Sequence, residues 1–133
     1  MPKSRSTSSF DPPIPKSNRL SNGMEVLFVS KSNIPITVIG LMIRGGSATD
    51  PSDLPGLSQI TTAMLAEGTS KRSSKQIAKE MEFLGSNLNV STSRENVFIS
   101  AQTPSRSWMT ALDIIADIAV SYTHLTLPTS DLV

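Results

Sequence analysis

The sequence predicts an α+β fold in the order ββ-αα-ββ-α, a mostly antiparallel sheet with its helices packed on one face. Two features carry the prediction. Short runs rich in β-branched and aromatic residues come in pairs, each divided by a polar turn. Two stretches with apolar residues at helical spacing lie between the pairs, and a third follows them. Hairpins separated by helices favour a layer of sheet covered by a layer of helix.

Residues 1–19 hold Pro2, Pro12, Pro13 and Pro15 among Ser, Lys and Arg, which predicts an extended, poorly ordered lead-in. Asn22-Gly23 is a turn signal. Met24 to Val29 predicts a first strand and Thr37 to Ile43 a second, expected as its antiparallel hairpin partner across Lys31-Ser32-Asn33. Gly45-Gly46-Ser47 ends the second strand, and residues 47–55 read as a polar loop. From Gly56 the chain turns helical. Leu57, Ile60, Met64 and Leu65 form the expected core stripe, with Gly68 as the stop. Ser73 or Ser74 can cap a second helix, whose buried face is Ile77, Met81 and Leu84 and whose end is Gly85. Lys75, Lys79 and Glu82 mark its wet side. Leu88 to Ser93 and Val97 to Gln102 predict a second hairpin, turning at Arg94-Glu95-Asn96. Trp108, Ala111, Leu112, Ile115 and Ile118 predict the third helix.

Composition narrows the function classes. The 133 residues suit one domain. Twelve Lys+Arg balance eleven Asp+Glu, so charge gives no reason to expect nucleic acid or an anionic membrane as partner. Without Cys there is no disulfide framework, no thiolate nucleophile and no Cys-ligated zinc. No apolar run is long enough for a transmembrane helix, and the first ten residues lack the apolar core of an export signal.

Residues 120–129, VSYTHLTLPT, match in order the in-frame translation of a transposase-type sequencing-library adapter. The adapter bases ahead of that frame would complete an alanine codon, and residue 119 is Ala. We therefore expect the natural sequence to stop within the third helix near Ala119, with 120–133 an adapter-derived tail that carries the only His, His124, and the only Tyr, Tyr122. The expected organisation is a lead-in over 1–19, a partial domain over 20–119 and this tail.

Few residues suggest chemistry by themselves. Asp50 and Asp53 flank Pro51, a pattern that serves a hard cation only with further oxygen donors and otherwise caps a loop. Gly45-Gly46-Ser47 lacks the Lys-Ser/Thr of a phosphate loop and reads as a turn. Arg44 reads as a rim charge, and the scattered Met residues as core filler.

Taken together, LSNGMEVLFV, the strand ending RGGSATDP, and GLSQITTAMLAEGTSKRSSKQIAKEMEFLGSNLNVSTSRENVFIS resemble the amino-terminal domain of the insulinase/pitrilysin metallopeptidases, over about Leu20 to Ala119. Active members of that family carry Gly-Leu-x-His-x-x-Glu-His-x-x-x-x-Gly-Thr on the first helix. Here Gly56, Leu57, Gly68 and Thr69 keep the frame, while Gln59, Thr62 and Ala63 stand at the first His, the Glu and the second His. Two imidazoles one turn apart can grip Zn²⁺ while the carboxylate takes a proton from metal-bound water. Gln59 offers a neutral amide, Thr62 is no base near neutral pH, and Ala63 has no donor atom. The resemblance places the third ligand on a Glu well downstream, beyond this chain. It implies a truncated fragment of a subunit with no intrinsic activity, no metal or cofactor of its own and no catalytic residue. Zinc is expected only in a motif-bearing homologous partner subunit, to which this half would contribute peptide binding and chamber wall. The alternative is a structural or assembly subunit like the core proteins of the respiratory cytochrome complex. Some bacterial relatives are exported to the cell envelope, but nothing in this sequence fixes a compartment. Apolar surface meant for a following domain would make residues 1–119 associate when expressed alone.

Overall fold

The computed structural model describes residues 12–31 and 33–126, with side chains to residue 121. The chain divides into two compact units, Met1–Ile34 and Pro35–Val133.

In the first unit, β1 (Lys16–Arg19) pairs antiparallel with β2 (Glu25–Phe28), from Lys16 against Phe28 to Arg19 against Glu25. The Asn22-Gly23 signal makes the turn. Gly23 sits at φ +86° where a side chain would strain the backbone, and the Asn22 side-chain oxygen accepts from the Met24 N–H at 3.1 Å. Two expectations are corrected here. The first predicted strand folds back on Lys16–Arg19 rather than forward on the second, because the Asn-Gly turn precedes it. Lys16–Arg19 is itself a strand, inside the stretch expected to be a poorly ordered lead-in. The remainder of that expectation, residues 1–11, lies outside the described residues.

The second unit is a three-stranded antiparallel sheet in the order β3-β5-β4. β3 (Ile36–Arg44) pairs with β5 (Asn96–Pro104) through nine unbroken pairs, and β4 (Asn87–Thr92) lies on the far side of β5. Strand alternation sorts the side chains. Ile39, Leu41, Ile43, Val97, Ile99, Ala101, Leu88 and Val90 face the helices. α1 (Leu57–Leu65), α2 (Ser74–Phe83) and α3 (Trp108–Thr126) supply the other layer of the core through Leu65, Ile77, Met81, Ile114, Ile115 and Ile118. Each fully buried Leu or Ile contributes about 2 kcal/mol relative to exposure. The expected fold class, antiparallel sheet with helices on one face, is what the chain adopts.

α2 follows its sequence signals closely. Ser73 caps it in a capping box with Gln76, and Gly85 at φ +64° ends it. The Gly85 N–H reaches the Glu82 carbonyl and the Ser86 N–H the Met81 carbonyl, the bond pair of a Schellman motif. α1 and α3 depart from their predicted stripes. On α1 only Leu65 of the expected four is buried, while Ile60 and Met64 are 63% and 53% exposed. The inward face is Ser58, Thr61, Thr62 and Leu65, whose small side chains let the helix lie close over β4 and beside α3. On α3, Trp108 and Leu112 turn outward and Ile114 joins Ala111, Ile115 and Ile118 inside. α3 continues as helix through Thr126, across the first residues of the adapter-like stretch, and residues 127–133 lie outside the described residues. Helical backbone there does not bear on where residues 120–133 come from.

The end of β3 is zipped to the β4–β5 turn. Gly45 N–H donates to Glu95, Ser47 to Ser93 and Ala48 to Arg94, at 2.8–3.2 Å. Gly46 lies so close that a Cβ would fall on the Ser93 carbonyl oxygen, with the Arg94 carbonyl carbon and oxygen at 2.8 Å. Its φ of −139° suits any residue, so the demand is for space. Gly46→Ala is expected to cost about 2 kcal/mol by forcing these two backbones apart. Urea unfolding with an unchanged midpoint would show that the approach is looser than this.

Candidate functional site

α1 starts without a side-chain cap of its own, since Gly56 occupies the N-cap position at φ +90°. Asp50 takes over that role from the preceding loop. Its two carboxylate oxygens accept from the Gly56 and Ser58 N–H groups, both at 2.9 Å. Burial pushes the Asp50 carboxyl up, but hydrogen bonding from Ser58 and Gly56 outweighs it and holds the group below its usual value. The Asp50–Asp53 pair thus resolves as a loop cap, with Asp53 exposed. Among the described residues no three His, Cys, Asp or Glu side chains gather in a metal-binding group.

With α1 anchored this way, the three motif positions separate into two environments. Gln59 and Ala63, one turn apart, share the exposed face. Thr62 points inward, is 4% exposed, and its hydroxyl has no hydrogen-bond partner among the described residues. Helix geometry therefore keeps positions 59 and 63 together, as a two-imidazole grip requires, but the side chains there are an amide and a methyl. The residues present do not fit a zinc ion: one weak neutral donor, no second donor and no base.

The segment leaving α1 carries a polar cluster that sequence reasoning missed. Thr69 accepts from the Lys71 and Arg72 N–H groups, which tightens the turn, and donates to Asp117 at 2.7 Å. Arg72 reaches three carboxylates on two helices: Glu80 on α2 at 3.0 Å, and Asp113 and Asp117 on α3 at 2.7 and 2.9 Å. The Asp117 side chain is 5% exposed. Burial raises its carboxyl, yet the Thr69 hydroxyl and the Arg72 guanidinium outweigh burial and hold it below the ordinary carboxylate range. Arg72 is in turn held above its ordinary value, first by Asp113 and then by Asp117. A signal for this cluster was present. Asp117 sits between Ile114 and Ile118 in the buried arc of α3, where a carboxylate needs a cation. Nothing in the spacing pointed to Arg72 as that cation.

The second unit is an antiparallel sheet covered by helices, with its first helix set between Gly56-Leu57 and Gly68-Thr69. The insulinase (peptidase M16) family matches residues 25–126, and the chain belongs to that family. It is 33% identical over 101 residues to an uncharacterized zinc protease of Rickettsia felis, covering 76% of this chain and 24% of that protein. Against the mitochondrial-processing peptidase subunit beta of Lentinula edodes it is 32% identical over 106 residues, covering 80% and 23%. Among solved structures it resembles a peptidase M16 inactive domain from Pseudomonas fluorescens, at a TM-score of 0.72 and 26% identity over 79% of this chain and 26% of that one. The chain spans about a quarter of the length of these relatives. No helix among the described residues is long and apolar enough to cross a membrane.

Proposed function

We propose that this chain is part of a catalytically silent insulinase-family subunit that contributes peptide binding and chamber wall to a homologous partner carrying the His-x-x-Glu-His motif and the zinc. The observation behind this reading is the side-chain chemistry of α1. Gln59 and Ala63 hold the exposed positions of a two-imidazole grip without an imidazole, and Thr62 replaces the base. A hydroxyl with a pKa far above neutral cannot take a proton from water at useful rates. The likeness to an inactive M16 domain supports the same reading. Hydrolysis would then be supplied by the partner, and this chain's part is to hold an extended peptide.

The test is direct. The purified chain, dialysed against zinc, is expected to retain no stoichiometric metal and to leave peptide substrates intact. Mixed with a motif-bearing homologue from the same source, it should raise that protein's peptide hydrolysis. Chelator-sensitive cleavage by this chain alone would overturn the proposal.

A further inference from the structure

Six asparagines lie along the chain, and only Asn22 is followed by glycine; the others precede Arg19, Ile34, Leu88, Val90 and Val97. Asn22 stands at the tip of the β1–β2 hairpin. The Gly23 N–H donates to the Leu20 carbonyl and the Leu20 N–H to the Met24 carbonyl, both at 2.9 Å, which closes the turn. The Asn22 side-chain oxygen accepts from the Met24 N–H at 3.1 Å. Its amide carbonyl is thus polarised at the atom where negative charge develops under nucleophilic attack. Gly23 puts no Cβ beside its nitrogen, and nothing lies within 4 Å of where one would stand. Asn87 and Asn89 are exposed too, yet Leu88 and Val90 set a branched side chain against the corresponding nitrogen. The hairpin is lightly held. All described residues of the first unit are exposed, and β1 and β2 have four residues each. A two-stranded hairpin without a packed face is marginal in water.

We infer that Asn22 is a site of spontaneous backbone modification, through a cyclic imide with Gly23, and that opening of the hairpin sets its rate. Water is the only other reactant. The Gly23 nitrogen gives its proton to hydroxide and attacks Cγ of Asn22. The N–Cγ bond forms, the Cγ–Nδ2 bond breaks, and Nδ2 leaves as ammonia with a proton from water, which regenerates the hydroxide. Water then opens the five-membered ring on either side of the nitrogen. Breaking the new N–Cγ bond leaves aspartate. Breaking the original peptide bond leaves isoaspartate, whose main chain runs through Cβ and Cγ. Either product adds a carboxylate and lowers the formal net charge of +1 by one. Isoaspartate also lengthens the turn that sets the pairing of Arg19 with Glu25. The bond from the Gly23 N–H to Leu20 opposes the attack, because the nitrogen is engaged while the turn is closed. Reaction therefore passes through the open hairpin.

The test follows Asn22 in the purified chain, held in warm, mildly alkaline buffer, with a synthetic peptide of residues 20–31 as reference. Mapping with trypsin should show that segment gaining about 1 Da, as amide gives way to acid, before any other asparagine-bearing segment does. The product should separate into aspartate and isoaspartate forms, the mark of a ring opened on both sides. The chain should react several-fold more slowly than the free peptide, and urea should bring it to the peptide's rate. Gly23→Ala in urea, where strain in the turn no longer counts, should react several-fold more slowly than the wild type in urea. Asn22 left intact when the peptide has reacted to completion overturns the inference. So does aspartate as the single product, Asn96 reacting as fast as Asn22, or a rate that urea leaves unchanged.

Discussion

Arg72→Ala is expected to destabilise the second unit by about 3–5 kcal/mol, the usual cost of removing one partner from a buried ion pair. The loss falls mainly on Asp117. Glu80 and Asp113 are 42% and 68% exposed and return to water, whereas the Asp117 side chain, at 5%, does not. Without the guanidinium it keeps the Thr69 hydroxyl and the attraction of the Lys71 charge. Since a domain of this size has about 5–15 kcal/mol in all, the variant should melt at a much lower temperature or be partly unfolded. A structural account of the cluster also fixes the pH dependence. In the wild type the folded Asp117 carboxyl lies below its unfolded value. Its contribution is therefore complete above about pH 4 and is lost as pH falls through the folded value. In Arg72→Ala, burial is opposed by the Thr69 hydroxyl and the Lys71 charge but no longer by the guanidinium, so the carboxyl lies higher than in the wild type and the variant loses less stability as pH falls. The gap between the two proteins, read by chemical denaturation, should be widest near pH 7 and narrow as pH falls below about 4. A gap independent of pH, or one below about 1 kcal/mol, would mean that the cluster is solvated and behaves as a surface network. Asp117→Asn is the companion variant. It removes the charge while keeping the shape, and should cost less than Arg72→Ala.

What could be read from the sequence, and what could not, follows from the range of the interaction involved. Local chemistry was legible. Asn22-Gly23 makes its turn, Ser73 with Gln76 caps α2, Gly85 closes it, and the β4–β5 hairpin sits across Arg94-Glu95 as its polar tip demands. Pairing at a distance was not. The sequence points the strand over Glu25–Phe28 forward because Lys16-Ser17-Asn18-Arg19 has no apolar alternation to advertise a strand, and backbone pairing needs none. The α1 stripe misled for a related reason. Leu57, Ile60 and Met64 have helical spacing and lie largely outside, while Ser58, Thr61 and Thr62 go in. Periodicity measures where apolar residues fall on a helix; close approach of a helix to a sheet favours small side chains, whatever their polarity. That difference matters for the site. Thr62, which lies off the expected Leu57, Ile60, Met64 and Leu65 stripe, is a buried position. A Glu placed there would be a carboxylate turned inward and would need a partner, whereas changes at Gln59 and Ala63 fall at exposed positions.

Gln59→His combined with Ala63→His is accordingly expected to create a zinc site on α1. Both positions are exposed and one turn apart, so two imidazoles can approach one ion from the same face without disturbing the core. The gain should appear as a zinc-dependent rise in unfolding temperature. At a zinc concentration a hundred times the dissociation constant it is worth about 2.7 kcal/mol. It should vanish as pH falls below about 6.5, where protons compete for the imidazoles. Each single variant should give much less than the pair, because one imidazole does not chelate. Peptide hydrolysis is not expected to return, since Thr62 supplies no base and the third ligand of active relatives is expected from another part of the protein. Adding Thr62→Glu should lower stability in the absence of metal, through burial of an unpaired carboxylate. Zinc would then offset part of that loss if the carboxylate reaches water bound to the ion. A double variant with no zinc-dependent shift would show that positions 59 and 63 do not share a face in the way α1 presents them. The correspondence between this helix and the metal-binding helix of its relatives would fall with it, because it requires these two side chains to aim at one point in space.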